Sequence, residues 1–346
     1  MSSSDANSSG KIVLITGAGG CIGSALTRRL IASGVKVALL LDHSEQNLYD
    51  IHAELSAGGL CSAYVPILGD ISDKALLDEL FEKYHPDTIF HAAAFKHVPL
   101  MEANPIAAIR NNVLGTWTLA NAALQHRVRQ LLMISTDKAV NPRSVMGAAK
   151  RVAELILVRL SNPETRMSAL RLGNVLGSNG SVVPLFQLQT ARGGPVTVTH
   201  PDSRRYFLSL PDTVELILAA SKLNQDAAVL IPELGAPVKI LDLANKLIRE
   251  AGAAATQIVF TGLRPGDKLT EELISAAEWL EPTGDRALKK INGPQPSSKL
   301  LDSAIHAISE GVRTRNLGTL IEALCSVVPE YQPSETLLSL LTAHSL

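Results

Sequence analysis

The feature that most constrains this chain is KIVLITGAGGCIGSALTRRLIASG, residues 11–34. An apolar run, a glycine-rich turn and an amphipathic stretch follow one another without a break. That is the pattern of a strand passing through a tight loop into a helix. Gly17, Gly20 and Gly23 recur every third residue there, with Cys21 and Ile22 between the last two. Lacking side chains, the glycines let backbone N–H groups and the helix N-terminus approach a diphosphate closely. A glycine triplet alone is weak evidence; one that joins a strand to a helix is much stronger.

The alternation continues. VKVALLL (35–41), the segment 64–68, DTIFHAA (87–93), QLLMIST (130–136) and MSALRLG (167–173) read as buried strands, with helical stretches such as DKALLDELFEKYH between them. Strand and helix in turn predict an α/β fold: a Rossmann-type doubly wound parallel sheet with helices on both faces. We expect it to occupy 11–175, with part of 205–235 returning to it. The looser pattern of 176–280 predicts a smaller α/β substrate-binding domain. Within it GGPVTVTHPDSRRYF reads as a strand pair with a polar turn, and VKILDLANKLIREAG as a helix. EPTGDRALKKINGPQPSSK (281–299) reads as a turn-rich surface connection at the start of a C-terminal helical extension, 281–346. Residues 1–10, MSSSDANSSG, lack the basic start and apolar stretch of a signal peptide and read as a disordered leader.

The second strand ends in Asp42, where a carboxylate can accept hydrogen bonds from adenosine ribose hydroxyls and would repel a 2′-phosphate. The expected cofactor is therefore NAD rather than NADP. Asp70 and Ile71, after the third strand, stand where they can flank the adenine. With 46% hydrophobic and 19% charged residues the chain is globular rather than disordered. A net charge of -1 without charge runs argues against a nucleic-acid partner. No apolar run nears the ~20 residues that cross a bilayer, so no membrane segment is expected. Three widely spaced cysteines form neither a disulfide framework nor a zinc pattern, which points to a reducing cytoplasm and no metal site.

TGAGGCIG, then HAAA at 91–94, Asn112, Ser135 and Met146 four residues before Lys150 together resemble the extended short-chain dehydrogenase/reductases. More narrowly, HAAAFKHVPLMEANP, STDKAVNP, RLGNVLGSNGSVVP and GLRPGDKLTEEL resemble the UDP-N-acetylglucosamine 4,6-dehydratase branch, which serves capsule, flagellin-glycan and bacillosamine-type pathways. The similarity runs from about residue 11 to 275. It implies a UDP-N-acetylhexosamine substrate and NAD held also by Ala92, Ala93, Ala94, Asn112 and Lys150. It further implies a homodimer, or higher homo-oligomer, built on apolar helix faces around 104–126 and 145–161.

In most of these enzymes a Tyr-x-x-x-Lys pair moves the proton, the lysine lowering the tyrosine's pKa. None of the five tyrosines here has a lysine four residues later; Met146 holds that place. The same exchange occurs in larger, often membrane-anchored dehydratases of the branch, which are active and retain configuration at C5. This chain resembles their catalytic part without the membrane segment. Their reaction takes hydride from sugar C4, removes a proton from the acidified C5, expels the C6 hydroxyl as water and returns the hydride to C6. Asp137 is expected to protonate the leaving hydroxyl. Lys138 is expected to take the C5 proton if burial or Lys150 depresses its pKa. Ser135 or Thr136 holds the C4 oxygen, and Asp137, Lys138 or a water accepts the C4 hydroxyl proton. Met146 faces the substrate, and Lys150 binds the nicotinamide ribose.

For the sugar nucleotide, Arg205 and Arg264 match positions that grip the diphosphate, with Lys96 near the same cleft. Asn174, Ser181 and Val182 form the substrate edge and Gln187 reaches the uridine. Where the branch has Met-Thr-Arg, this chain has Ser203-Arg204-Arg205, which adds a charge beside the expected diphosphate grip. A 4-epimerase, a dehydration-coupled 5-epimerase and a non-catalytic NAD-binding protein are the competing readings.

Overall fold

The computed structural model describes residues 10–343 apart from 179, 224 and 254; the expected leader, except Gly10, lies outside them. The first half runs β1 (Ile12–Thr16), α1 (Cys21–Ala32), β2 (Val37–Asp42), α2 (Glu45–Ala57), β3 (Tyr64–Leu68), α3 (Lys74–Tyr84) and β4 (Thr88–His91). Next come α4 (Val98–Ala103), α5 (Pro105–Ile109), a π-helical turn at Arg110–Gly115 and α6 (Thr116–Gln125). β5 (Gln130–Thr136), α7 (Val145–Leu160) and β6 (Arg166–Leu172) complete it.

The second half holds β7 (Asn174–Val175), α8 (Val182–Ala191), β8 (Val196–Val198), β9 (Arg204–Arg205), β10 (Phe207–Leu208) and α9 (Leu210–Lys222). It continues with β11 (Ala228–Pro232), β12 (Val238–Lys239), α10 (Ile240–Glu250), β13 (Ile258–Phe260), β14 (Trp279–Pro282) and β15 (Leu288–Asn292). α11 (Ser298–Thr314), α12 (Leu317–Val327) and α13 (Glu335–Ala343) close the chain.

One nine-stranded sheet dominates, in the order β14-β15-β11-β6-β5-β4-β1-β2-β3. β3 through β11 in that row are parallel, and β15 and β14 add antiparallel strands at one edge. The central strands are almost continuously apolar because helices cover both faces. Strand order reverses between β1 and β4, and the crevice at their carboxyl ends is where such sheets take ligands. No helix among the described residues is long and apolar enough to cross a membrane.

Three expectations need correction. β8 and the 204–208 strands do not pair with each other: β8 pairs with β13, and β9 with β12. Their partners lie some 35 to 60 residues ahead, beyond what local turn signals reveal. Residues 281–299 are not merely a surface connection, since 279–292 form a hairpin on the main sheet; Leu288 and Ile291 are buried there. The extension expected at 281–346 is thus helical only from 298.

The third concerns the apolar helix faces. Along α11, Leu301, Ala304, Ile305 and Ile308 recur at the spacing of one helical face. With Leu320, Ile321 and Leu324 of α12 they join the core cluster that contains Val145, Ala148, Val152 and Ile156 of α7. Fully burying each large aliphatic side chain is worth about 1.5–3 kcal/mol. Part of the 145–161 face expected to receive a second copy is therefore covered by the chain's own C-terminal helices.

Candidate active site

The loop between β1 and α1 is built on contacts that exclude side chains. Gly17 has φ +67, and a Cβ there would lie 2.8 Å from the Ala93 backbone, so the ends of β1 and β4 meet through it. A Cβ on Gly19 would fall 2.3 Å from the Asn47 carbonyl oxygen, and one on Gly23 2.0 Å from that of Gly17. Ser44, Asp73 and Ser144 cap α2, α3 and α7 with side-chain oxygens, whereas Gly20, at the start of α1, makes no side-chain cap. The first-turn N–H groups of α1, from Cys21 and Ile22 onward, have no such cap competing for them. Asp42 is buried, its Oδ2 accepting from Gly19 N at 2.9 Å and its Oδ1 from Ser44 N at 2.9 Å.

Opposite, the Ala92 and Ala93 amides donate to Thr16, and Ala94 is half-buried beyond them. Ile71 is buried against Gly115, where a Cβ would come within 2.7 Å of it; Asp70 is exposed and accepts from Ser72 N. The helix interior bulges at Arg110–Gly115, a distortion common at functional sites. There Asn112 accepts from Phe95 N and donates to Phe95 O, both at 2.9 Å, fixing the loop after β4. A fixed carboxylate, a side-chain-free cradle and an uncapped helix start fit an adenosine diphosphate.

At the carboxyl end of β5 the cluster expected from STDKA assembles. Asp137 is fully buried; its Oδ1 accepts from Lys138 Nζ at 2.9 Å and from the Thr136 hydroxyl at 2.9 Å. Lys138 also donates to Asn174 Oδ1 at 3.2 Å, which brings β7 into the site. A third acceptor comes from a residue the sequence reading did not single out: Glu271 Oε1 lies 3.2 Å from Lys138 Nζ. Glu271 is itself buried and is also flanked by Arg205 at 3.6 Å and Lys268 at 3.8 Å.

This geometry corrects the expectation of a depressed Lys138. Burial alone would lower the amine, but the Asp137 and Glu271 carboxylates outweigh it and hold Lys138 above the ordinary lysine value. Asp137 moves up, driven by burial and by the Glu271 charge against the pull of Lys138. Burial does depress Lys150, bringing it down to about 8 although Glu154 opposes the shift. Its Nζ donates to Ile134 O at 2.9 Å. Met146 lies one helical turn earlier, buried in the core cluster.

Ser135 is turned away from this cluster. Its hydroxyl donates to Glu154 at 2.6 Å, and Glu154 is held bidentately by Arg171, which also grips Glu278. Of the two hydroxyls expected near the C4 oxygen, only Thr136 stands beside Asp137. Period-two alternation along β5 sends the neighbouring side chain to the other face.

The residues expected at the sugar nucleotide divide. Loops 94–97 and 177–181 meet, since a Cβ on Gly180 would lie 2.5 Å from the His97 ring. They carry the exposed Lys96 and Ser181, whose buried hydroxyl oxygen has no hydrogen-bond partner among the described residues. Val182 follows at the start of α8, and Gln187 is exposed on that helix. Arg264 is exposed and paired with Asp267 at 2.8 Å. Arg205, expected to offer its fork to the diphosphate, is buried and donates instead to the carbonyls of Arg204, Lys268 and Leu269.

A family model described as polysaccharide biosynthesis protein matches residues 13–291. This chain belongs to that family. The match takes in the hairpin of β14 and β15 and ends before α11. Within the polysaccharide biosynthesis family, the capsular polysaccharide biosynthesis protein CapD of Staphylococcus aureus is 48% identical over 273 residues, 78% of this chain and 46% of that protein. The chain thus spans about half the length of that relative. A UDP-glucose 4-epimerase of Rickettsia conorii is 33% identical over 276 residues, 78% of this chain and 79% of the relative. Among solved structures, Pen from Bacillus thuringiensis superimposes with a TM-score of 0.76 at 28% identity, covering 84% of this chain and 89% of that one.

Proposed function

We propose that this member of the polysaccharide biosynthesis family is a nucleotide-sugar 4,6-dehydratase that acts on a UDP-N-acetylhexosamine with NAD as its resident cofactor, retaining configuration at C5. One observation carries the reading: a buried carboxylic acid and an amine in contact at 2.9 Å, at the end of the strand beside the switch-point crevice. Elimination of water across C5 and C6 needs a base at C5 and an acid for the departing C6 hydroxyl, whereas plain 4-epimerisation needs no C5 base and no leaving-group acid.

NAD would be held by the 17–23 loop, Asp42, Ala92–Ala94 and Lys150, and when bound it supplies the hydride acceptor for C4 and the donor for C6. Thr136 would hold the C4 oxygen. Transfer of one proton within the Asp137–Lys138 contact converts an ion pair into a neutral acid and a neutral amine. Exclusion of water favours that exchange, because low dielectric disfavours separated charges. The C4 hydroxyl proton would pass to an ordered water; the acid would then protonate the C6 hydroxyl while the amine takes the C5 proton, which it would return to C5 as hydride reaches C6. Met146 contributes no proton; it packs beside the cofactor-binding lysine.

Resemblance to the Rickettsia 4-epimerase supports a second reading, an epimerase. Incubation with UDP-N-acetylglucosamine and mass analysis of the products separates them. A dehydratase yields a product lighter by one water, an epimerase an isomer of unchanged mass, and a non-catalytic NAD-binding protein no product. Either of the last two results overturns the proposal.

A further inference from the structure

Lys138 is held by a residue that belongs to neither β5 nor the cofactor-binding half. We propose that Glu271 is a positioning residue of the active site: set across the Lys138 ammonium from Asp137, it fixes the amine in place and makes Asp137, Lys138 and Glu271 a single proton-sharing unit. This deepens the dehydratase reading and rests on it.

The geometry carries the inference. The Lys138 ammonium lies close to three oxygens, hydrogen-bonded to Asp137 Oδ1 at 2.9 Å and Asn174 Oδ1 at 3.2 Å and ion-paired with Glu271 Oε1 at 3.2 Å. Asp137 Oδ2 and Glu271 Oε2 are buried without a hydrogen-bond partner among the described residues. A buried carboxylate oxygen left unsatisfied is costly and invites a function. The segment bearing Glu271 is docked firmly. Arg205 donates to the carbonyls at 268 and 269, Arg204 bridges Thr270, and Lys268 donates to Val140 O in the loop that follows Lys138. No sequence neighbour of Lys138 could supply this contact, and Glu271 is 133 residues downstream.

The further charges acting on the unit are Arg205 of β9 and Lys268, and Glu272 acts in turn on Lys268. Glu271 adds a negative charge to a pair whose productive form carries one shared proton. That charge stabilises every protonated form of the pair, so it holds both limbs of a pH–rate profile at higher pH. A residue that only braced the fold would change amplitude and stability and leave the limbs where they are.

The test is Glu271→Gln, which keeps shape and removes charge, beside Glu271→Asp, which keeps charge and shortens reach. With UDP-N-acetylglucosamine as substrate, Glu271→Gln should move both limbs of the kcat profile down by about one pH unit or more. Glu271→Asp should lower kcat with limbs near those of the unchanged protein. In parallel, competitive acylation of Lys138 read by mass spectrometry should become roughly tenfold faster at fixed neutral pH in Glu271→Gln. The acylation needs no turnover, so it reports on Glu271 even if the protein dehydrates nothing. Unmoved limbs, or with an inactive protein unchanged acylation, would overturn the inference.

Discussion

Gly23→Ala isolates what the glycine loop does. The added methyl would sit 2.0 Å from Gly17 O, 2.8 Å from Gly17 C and 2.9 Å from Ala18 Cα. An ordinary C···O approach is about 3.3–3.6 Å, so α1 and the loop must separate by more than ~1 Å. Overpacking of that kind costs about 1–3 kcal/mol. Part falls on stability, because the contact is internal to the protein. The rest falls on NAD, since the same movement displaces the N–H groups that cradle a diphosphate. Were the whole cost to fall on binding, affinity would drop roughly 5- to 150-fold. Gly20→Ala is the comparison. Its Cβ would meet nothing nearer than Gly17 O at 3.2 Å, so stability without cofactor should change by less than about 1 kcal/mol. Its methyl would still face the diphosphate and weaken binding. Calorimetric NAD titration and thermal unfolding without ligand read the two effects separately. A Gly23→Ala protein that unfolds at the unchanged temperature and binds NAD within twofold of the original would refute the argument.

Lys150 gives a pH dependence with a definite sign. Its folded value, about 8, lies below the ordinary 10.5, so between those pH values the unfolded chain binds more protons. The burial cost is fully present below pH about 8 and is relieved as pH rises toward 10.5; unfolding free energy should therefore climb across that window relative to Lys150→Met. NAD affinity should move the other way, falling above pH about 8 as the charge is lost, and that limb should vanish in Lys150→Met. At the C-terminal cap, Leu324 is fully buried, and Leu324→Ala should cost about 2–5 kcal/mol in denaturant unfolding. A cost under ~0.5 kcal/mol would mean that α12 is not docked on α7 as described.

Part of the site is legible in the amino-acid sequence. The pairing of Asp137 with Lys138, the cradle at 17–23 and the carboxylate at the end of β2 each depend on neighbours within one βα unit, where spacing dictates direction. Thr136 and Ser135 show the limit of that reach. Both were candidates, and only the face each takes on β5, with Glu154 waiting on one side, separated them. The protonation of Lys138 came out opposite to expectation, because Asp137 and the distant Glu271 together outweigh burial, and Lys138, Arg205 and Lys268 in turn hold Glu271 ionised.

By itself, then, the chain's amino-acid order determined an alternating α/β architecture and a nucleotide cradle, since hydrophobic period and glycine placement act over a few residues. It also determined the absence of an ionisable group at Met146. Only the tertiary structure decided which apolar faces α11 and α12 cover, which edge 279–292 extends, and which carboxylates surround the Lys138 amine. Those outcomes rest on contacts between segments tens to hundreds of residues apart, where many pairings satisfy the same local pattern and packing selects one.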